Sequence, residues 1–439
     1  MPFLARHRTF VDIKSKINKT MSFKAALYFP FILLVCLSLP GTAQTIYTLQ
    51  QALQTARSDN PVLKREQFNI GISQADITTA HLRPNPILNN QSLQLVQPSR
   101  FPDNSSWYNG TNRQIWWQVT KPFQLPVQRN NRINFAEQNV KLTQKQYAET
   151  ERQLFQNVAQ KWLDVWTARK QLDLLGTAKS NIDSLATINR LRLKNQAITT
   201  TDLARTELLA NQYAIQLKSA TQIYRNEIAN LTLLMGTKDS VAIDTTDQFR
   251  FEFPAEIEAL IQQALQNRTD IQAIQSTMDV AEANISLQKS NALPAPELGL
   301  IYNPQNKAHY MGVYGTIEIP LFSRNQGEIK KSTIMKQQAE QALNATQLQA
   351  QTEIRTAYRT YQLQKQNVQN FNHLLTQSQS ILNSVKYSYL RGGTTIVDFL
   401  EAQRSWLDTQ QQYYDLLQQY RQSYIDLLYT SGLITQLAQ

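Results

Sequence analysis

Residues 391–403 read Arg-Gly-Gly-Thr-Thr-Ile-Val-Asp-Phe-Leu-Glu-Ala-Gln. A long run with helical spacing leads into this stretch, and another leads out of it. Gly392 and Gly393 can take the positive-φ backbone that stops a helix. Thr395 stands three residues before Asp398, the spacing of a capping box with Asp in the place usually held by Glu or Gln. The same pattern occurs 196 residues earlier, at Thr199 and Asp202. A helix–turn–helix therefore occurs twice, and the rest of the chain is arranged around the two copies.

At that offset Ile133 meets Ile329, Val158 meets Ile354, Trp162 meets Tyr358, Tyr224-Arg225 meets Tyr420-Arg421, and Gly236 meets Gly432. Upstream the offset drifts, but Pro84-Asn85-Pro86-Ile87-Leu88 resembles Pro294-Ala295-Pro296-Glu297-Leu298. A fixed period over so long a stretch indicates duplication. Residues 44–236 then form a first repeat, 237–254 an equatorial link, 255–432 a second repeat and 433–439 a tail. Each repeat reads helix, strand, strand, long helix, turn, helix.

In chain order, helix is expected over 47–82, halted by Pro84 and Pro86. Strands follow at 87–96 and 113–121, where Ile115, Trp117 and Val119 alternate with Gln114, Gln118 and Thr120. A helix from about Arg132 to Gln196 would run roughly 95 Å. Another spans 201–235 and is closed by Gly236. The second half repeats this with helix at 256–292, strands at 297–303 and 309–319, and helices at 327–390 and 396–430. In the longer of those, Ile354, Tyr361, Val368, Leu375, Leu382 and Tyr389 recur every seventh residue, which favours a supercoiled seam.

The N-terminal 43 residues read as an extension and a signal peptide. Met21 and Lys24 precede an apolar run from Ala25 to Leu39, and Gly41-Thr42-Ala43 offers small residues for cleavage before Gln44. Cys36, the one cysteine, lies inside that run after Val35, so neither lipid anchor nor disulfide is expected. This segment carries six Lys/Arg against one Asp, and the net charge of +11 falls to about +6 on the remainder. With no basic cluster, a nucleic-acid partner is not indicated.

The four strands gather aromatics: Phe101, Trp107, Tyr108, Trp116, Trp117, Tyr302, Tyr310 and Tyr314. Alternating strands of this length with aromatic rims suit an outer-membrane barrel wall. A barrel must close, because an open sheet edge cannot face lipid. Four strands are too few, since single-chain barrels begin at about eight. The chain must share its wall with copies of itself. The plainer reading is a soluble sheet packed on helices.

The architecture and the stretch Gly393-Thr394-Thr395-Ile396-Val397-Asp398-Phe399-Leu400-Glu401-Ala402 resemble the TolC-like outer-membrane efflux proteins. The resemblance covers about 47–432. It implies an α+β membrane protein, a homotrimer whose three chains give four strands each to a twelve-stranded barrel. A long helical coiled-coil barrel then continues across the periplasm. Outer-membrane lipid, a periplasmic adaptor (membrane fusion) protein and an inner-membrane pump of RND or ABC type would be the partners. Gly392, Gly393, Thr394 and Thr395, with Ala197, Thr199 and Thr200, would form the adaptor-docking tip. Asp398 and Glu401, with Asp202, match the acidic positions of the family's periplasmic gate. A simple helix-capping role competes for Asp398. Some members have arginine after the turn glycine; Thr394 stands there instead, and Arg205 replaces the second acid in the first repeat. The Arg83-Pro84-Asn85-Pro86 segment is similar to that of heavy-metal efflux members.

His7, His81, His309 and His373 are scattered, with no metal-ligand spacing. No phosphate-cradling loop or nucleophile elbow occurs. The sequence therefore calls for no enzyme activity, no metal and no cofactor. It indicates a passive export duct for small solutes such as drugs or metal cations. A type I protein-secretion duct and a soluble periplasmic coiled-coil scaffold are the alternatives.

Overall fold

The computed structural model describes residues 45–102, 106–238, 241–246, 256–305 and 308–438. The signal segment, Met21 and Cys36 lie outside them, as does most of the link. Strand β1 (Thr45–Tyr47) precedes helices α1 (Leu49–Asp59) and α2 (Pro61–His81), then strands β2 (Ile87–Gln94) and β3 (Arg113–Pro122). Helices α3 (Pro126–Lys194) and α4 (Thr200–Met235) follow, then β4 (Val241–Ile243). The second half holds α5 (Ile257–Asn267), α6 (Thr269–Asn291), β5 (Glu297–Gln305), β6 (Ala308–Thr316), α7 (Gln326–Leu390) and α8 (Ile396–Thr430), closed by a 3-10 turn (Ile434–Ala438).

The helix expected over 47–82 is two helices. Asn60 ends α1 and caps α2, its Oδ1 accepting from Val62 N–H (2.8 Å) and Leu63 N–H (3.1 Å), with Pro61 in the first helical turn. Its Nδ2 donates 2.7 Å to Leu234 O at the end of α4. The helix expected over 256–292 breaks likewise at Arg268, whose guanidinium donates 3.0 Å to Thr430 O at the end of α8. Each break thus supplies a donor to a helix terminus that would otherwise hold orphan carbonyls. Helix α3 begins six residues before the expected Arg132, because Pro126 is suited to the first helical turn rather than only to ending a strand.

Around these breaks lies the larger core. Trp162, Phe155, Val158 and Leu163 of α3 pack with Leu49 and Leu53 of α1, Leu260 of α5, Ile354 of α7, and Ile425 and Leu428 of α8. Full burial of such side chains stabilises by about 1.5–3 kcal/mol each. Trp166 Nε1 donates 3.0 Å to Thr245 O, and Asp244 N donates 2.9 Å to Tyr47 O, so the small β1–β4 sheet is fastened to α3. Buried Arg152 donates 2.8 Å to Tyr429 O and pairs with Glu149. Arg268 pairs with Asp270 at 2.7 Å and Glu353 at 2.9 Å. Burial alone would raise the Asp270 carboxyl, but the Arg268 guanidinium outweighs it and holds the group below its ordinary range.

The larger sheet is antiparallel in the order β2-β3-β5-β6. Cross-strand rows sort its two faces. Leu88, Val119, Leu300 and Val313 align in one row, and Trp117, Tyr302 and Met311 in the next. The opposite face carries Asn89, Gln118 and Ile301 in one row, with Gln91, Trp116, Asn303 and Tyr310 beside it. One side is thus mainly apolar and the other holds more of the amides, in line with the alternation in β3. Strand β6 ends at Thr316, three residues short of the expected end at Ile319.

Candidate functional site: the two turns

Helix α3, a single α-helix of 69 residues, runs about 100 Å from the strand end to the first turn. Helix α7, with 65 residues, runs a comparable length to the second. The heptad seam of α7 points inward: Ile354, Tyr361, Leu382 and Tyr389 are buried, Val368 and Leu375 half-buried. A second core holds this end together, with Ile182, Leu185, Leu209 and Tyr213 from the first hairpin against Leu382, Phe399, Trp406 and Leu407 from the second.

Both turns stop their helices by the same hydrogen bonds. Ala197 N–H reaches back to Arg192 O (2.8 Å) and Gln196 N–H to Leu193 O (2.9 Å); Gly393 N–H reaches Ser388 O (2.9 Å) and Gly392 N–H reaches Tyr389 O (3.1 Å). These are Schellman closures, which need a left-handed residue. Gly392 supplies it at φ +83°, but in the first turn Gln196 does so at φ +58°. A side chain in that region costs about 1–2 kcal/mol, and a glycine returns part of that as lost backbone entropy. Gln196→Gly should therefore raise the unfolding free energy by about 0.5–1 kcal/mol, read as a higher thermal midpoint of the helical circular-dichroism signal.

The outgoing helices open on matching capping boxes. Thr199 Oγ1 accepts from Asp202 N–H (3.1 Å) while Asp202 accepts from Thr199 N–H (3.1 Å). Thr395 Oγ1 accepts from Asp398 N–H (3.2 Å), and Asp398 Oδ2 accepts from Thr395 N–H (3.1 Å), Thr395 Oγ1 (2.6 Å) and Thr394 Oγ1 (2.7 Å). The Thr395 and Thr394 hydroxyls and the Thr395 N–H hold the Asp398 carboxyl below its ordinary range. Asp398 is thus a cap, and one carboxylate oxygen carries all of that bonding.

Gly392, Gly393, Thr395, Ala197, Thr199 and Thr200 are exposed at this end, and Thr394 is half-buried. Asp398 and Glu401 are exposed on one face of α8, whereas Asp202 is half-buried. Sequence reasoning missed Asp408, exposed one heptad beyond Glu401 on the same face; that spacing was the available signal. It also missed what joins the turns. Arg192 donates 2.7 Å to Leu390 O and 3.3 Å to Tyr389 O. Tyr389 OH donates 2.7 Å to Asn189 Oδ1, and fully buried Asn189 donates 2.9 Å to Thr206 Oγ1. A buried polar chain of this kind fixes one arrangement of the two hairpins.

Among the described residues no group of His, Cys, Asp or Glu has metal-binding geometry, and no helix is long and apolar enough to cross a membrane.

Residues 260–432 match the family described as Outer membrane efflux protein. Outer membrane protein TolC of Vibrio cholerae serotype O1 is 24% identical over 308 residues, 63% of this chain and 67% of that protein. Among solved structures, CusC superposes with a TM-score of 0.73 at 19% identity, covering 90% of this chain and 95% of that one. The CmeC outer membrane channel of Campylobacter jejuni gives 0.72 at 16% identity, with 88% and 85% covered. The open state of the MtrE outer membrane channel of Neisseria gonorrhoeae gives 0.70 at 16% identity, with 88% and 89% covered. At these identities the likeness to solved structures is one of fold.

Proposed function

We propose that the chain, whose residues 260–432 match the family described as Outer membrane efflux protein, is the outer-membrane duct of a tripartite efflux system. Three copies close a twelve-stranded barrel in the outer membrane, and their helices continue as a tube through the periplasm. The duct is passive. A periplasmic adaptor docks on the tip formed by Ala197, Thr199, Thr200, Gly392, Gly393, Thr394 and Thr395, and an inner-membrane pump drives small solutes through.

One observation carries this reading: the chain is unfinished on both flanks. The sheet has two open edges, β2 and β6, and an apolar face that exposes Leu88, Leu300, Met311 and Val313. The helices repeat the pattern. Helix α3 is flanked by α2 on one side and by α6 on the other. The α6 seat is built from Thr269 Oγ1 to Glu149 (2.6 Å), Lys145 Nζ to Gln272 (3.0 Å) and Asn131 Nδ2 to Ser286 O (3.0 Å). Helix α7 has α6 on one side only. Away from α6, α7 and α8 line a groove of about 810 Å3 that includes Ala345, Leu348, Thr352 and Asp426. Ala345 stands at the duplication counterpart of Glu149. The counterpart of α6 is α2, and it bears exposed Phe68 and Ile72. A neighbouring copy's α2 completes α7 as α6 completes α3. Such head-to-tail joints generate a ring when the rotation between copies closes.

Three copies of the exposed Asp398–Glu401–Asp408 stripe around a shared axis give the periplasmic mouth a cation-favouring gate, with Asp202 beside it in the first hairpin. In planar bilayers, Asp398→Asn with Glu401→Gln should move the reversal potential in a salt gradient towards that of an unselective pore. Glu401→Gln alone, which leaves the cap intact, should produce part of the shift. An unmoved reversal potential would leave these acids as caps. Native mass spectrometry of detergent-extracted protein tests the assembly: a stable monomer would overturn the duct, and release by carbonate washing would favour the soluble scaffold.

A further inference from the structure

At the end of β6, strand-forming sequence is not strand. Residues 317–320, Ile-Glu-Ile-Pro, carry no regular structure, and Ile317 and Ile319 are 56% and 70% exposed. In the first repeat the corresponding segment is strand to Pro122. There Pro122 lies opposite Glu297, and Phe123 N–H continues the ladder to Pro296 O at 2.9 Å. The difference is the partner: β3 has β5 beside it, whereas β6 has nothing on its outer side. Leu321 N–H, the counterpart of Phe123 N–H, turns back to Ile319 O at 2.8 Å.

We infer that residues 317–320 become the last turn-free stretch of β6 when a second copy's β2 pairs with it, with Pro320 opposite Ile87 of the partner subunit. The register follows by transferring the β3–β5 joint. Pro122 corresponds to Pro320, and Pro294 and Pro296 correspond to Pro84 and Pro86. Glu318 then faces Asn89 of the partner subunit, and Ile319 faces Leu88 of the partner subunit. Leu321 N–H exchanges its local acceptor for the carbonyl of Pro86 of the partner subunit. This inference rests on the trimeric duct proposed above and specifies its joint.

Two independent checks support the register. The first is the face rule, because a slip of one residue exchanges the faces of a strand. In this register Ile317 and Ile319 extend the row side that already holds Met311 and Val313, and they meet exposed Leu88 on the same apolar side. A one-residue slip would set Ile319 against the amide side. The second is closure. The row Leu88, Val119, Leu300, Val313 continues onto Gln94 of the partner subunit, a climb of about six residues over four strands. With about 3.3 Å per residue and about 4.8 Å between strands, the strands tilt about 45°, within what closed barrels adopt.

The test is disulfide trapping in a Cys36→Ser background. Directly opposed residues sit within disulfide reach, whereas diagonal ones do not. Glu318→Cys with Asn89→Cys in one chain should give covalent trimers on a denaturing gel after mild oxidation. Glu318→Cys with Gln91→Cys should trap at least tenfold less. If native mass spectrometry shows trimers but the Gln91 pair traps better, or neither pair traps, the register is wrong while the duct stands. If no trimers form in the unsubstituted protein, the duct reading itself fails and takes the joint with it.

Discussion

Phe68→Asp should, on the trimeric assembly proposed above, yield a chain that folds and extracts into detergent but appears as monomer in native mass spectrometry. Phe68 is 74% exposed on α2, with Ile72 at 63% one turn later. In a single chain neither packs on anything that accounts for its chemistry. On the proposed assembly, seating Phe68 against α7 of a neighbouring copy would gain about 1.5–3 kcal/mol of burial at each joint. An aspartate there would forfeit that gain and also lose hydration, a further cost of a few kcal/mol. A ring of three joints pays this three times over. Phe68→Leu, which keeps most of the apolar area, should remain trimeric. If Phe68→Asp stays trimeric, α2 is not the docking helix.

The second large effect is expected at Gly236. This residue closes α4 at φ +72°, and a Cβ there would lie 2.5 Å from Asp59 O and 2.9 Å from Asn60 Cα. Both are backbone atoms of the α1–α2 break, so neither can rotate away. Gly236→Ala combines left-handed strain with a main-chain collision and should destabilise by about 3 kcal/mol or more. Gly432, the counterpart at the end of α8, would bring its Cβ to 3.3 Å from Arg268 Cγ, part of a side chain that can shift. Gly392 has positive φ but open space around it. Thermal unfolding followed by circular dichroism should therefore rank the three alanine variants with Gly236 worst, Gly432 intermediate and Gly392 mildest, the last at about 1–2 kcal/mol. Equal losses at all three would mean that strain, not the packing of α4 onto the break, sets the cost.

What could be read from the sequence was whatever is decided within a few residues. The α8 limits, Ile396 and Thr430, coincide with the expected span because a capping box opens the helix and no tertiary partner is needed to define it. Gly236 closes α4 as anticipated, for the same local reason. The strand faces were legible in β3, where the alternation is clean. What depended on distant groups was not legible. Arg268 interrupts the α5–α6 stretch with no proline to announce it; its guanidinium is drawn to Thr430 O and to Glu353, far away in sequence. The break at Asn60 did have a local sign, Pro61, which the helical spacing across 47–82 concealed. At the turns, the capping residues were visible, but the Tyr389–Asn189–Thr206 chain was not, since a buried asparagine on a helix is indistinguishable in sequence from a solvated one. Residues 317–319 have strand chemistry, yet no edge within the chain receives them.

A head-to-tail joint has a genetic consequence. In the proposed trimer each copy would offer one α2 knob and one α7 socket, so a subunit lacking the knob could still plug its socket onto a healthy neighbour and stall the circle there. In a cell making normal and Phe68→Asp subunits in equal amounts, three subunits drawn at random are all normal only about one time in eight. A lesion that a second normal allele would ordinarily mask should therefore behave as dominant.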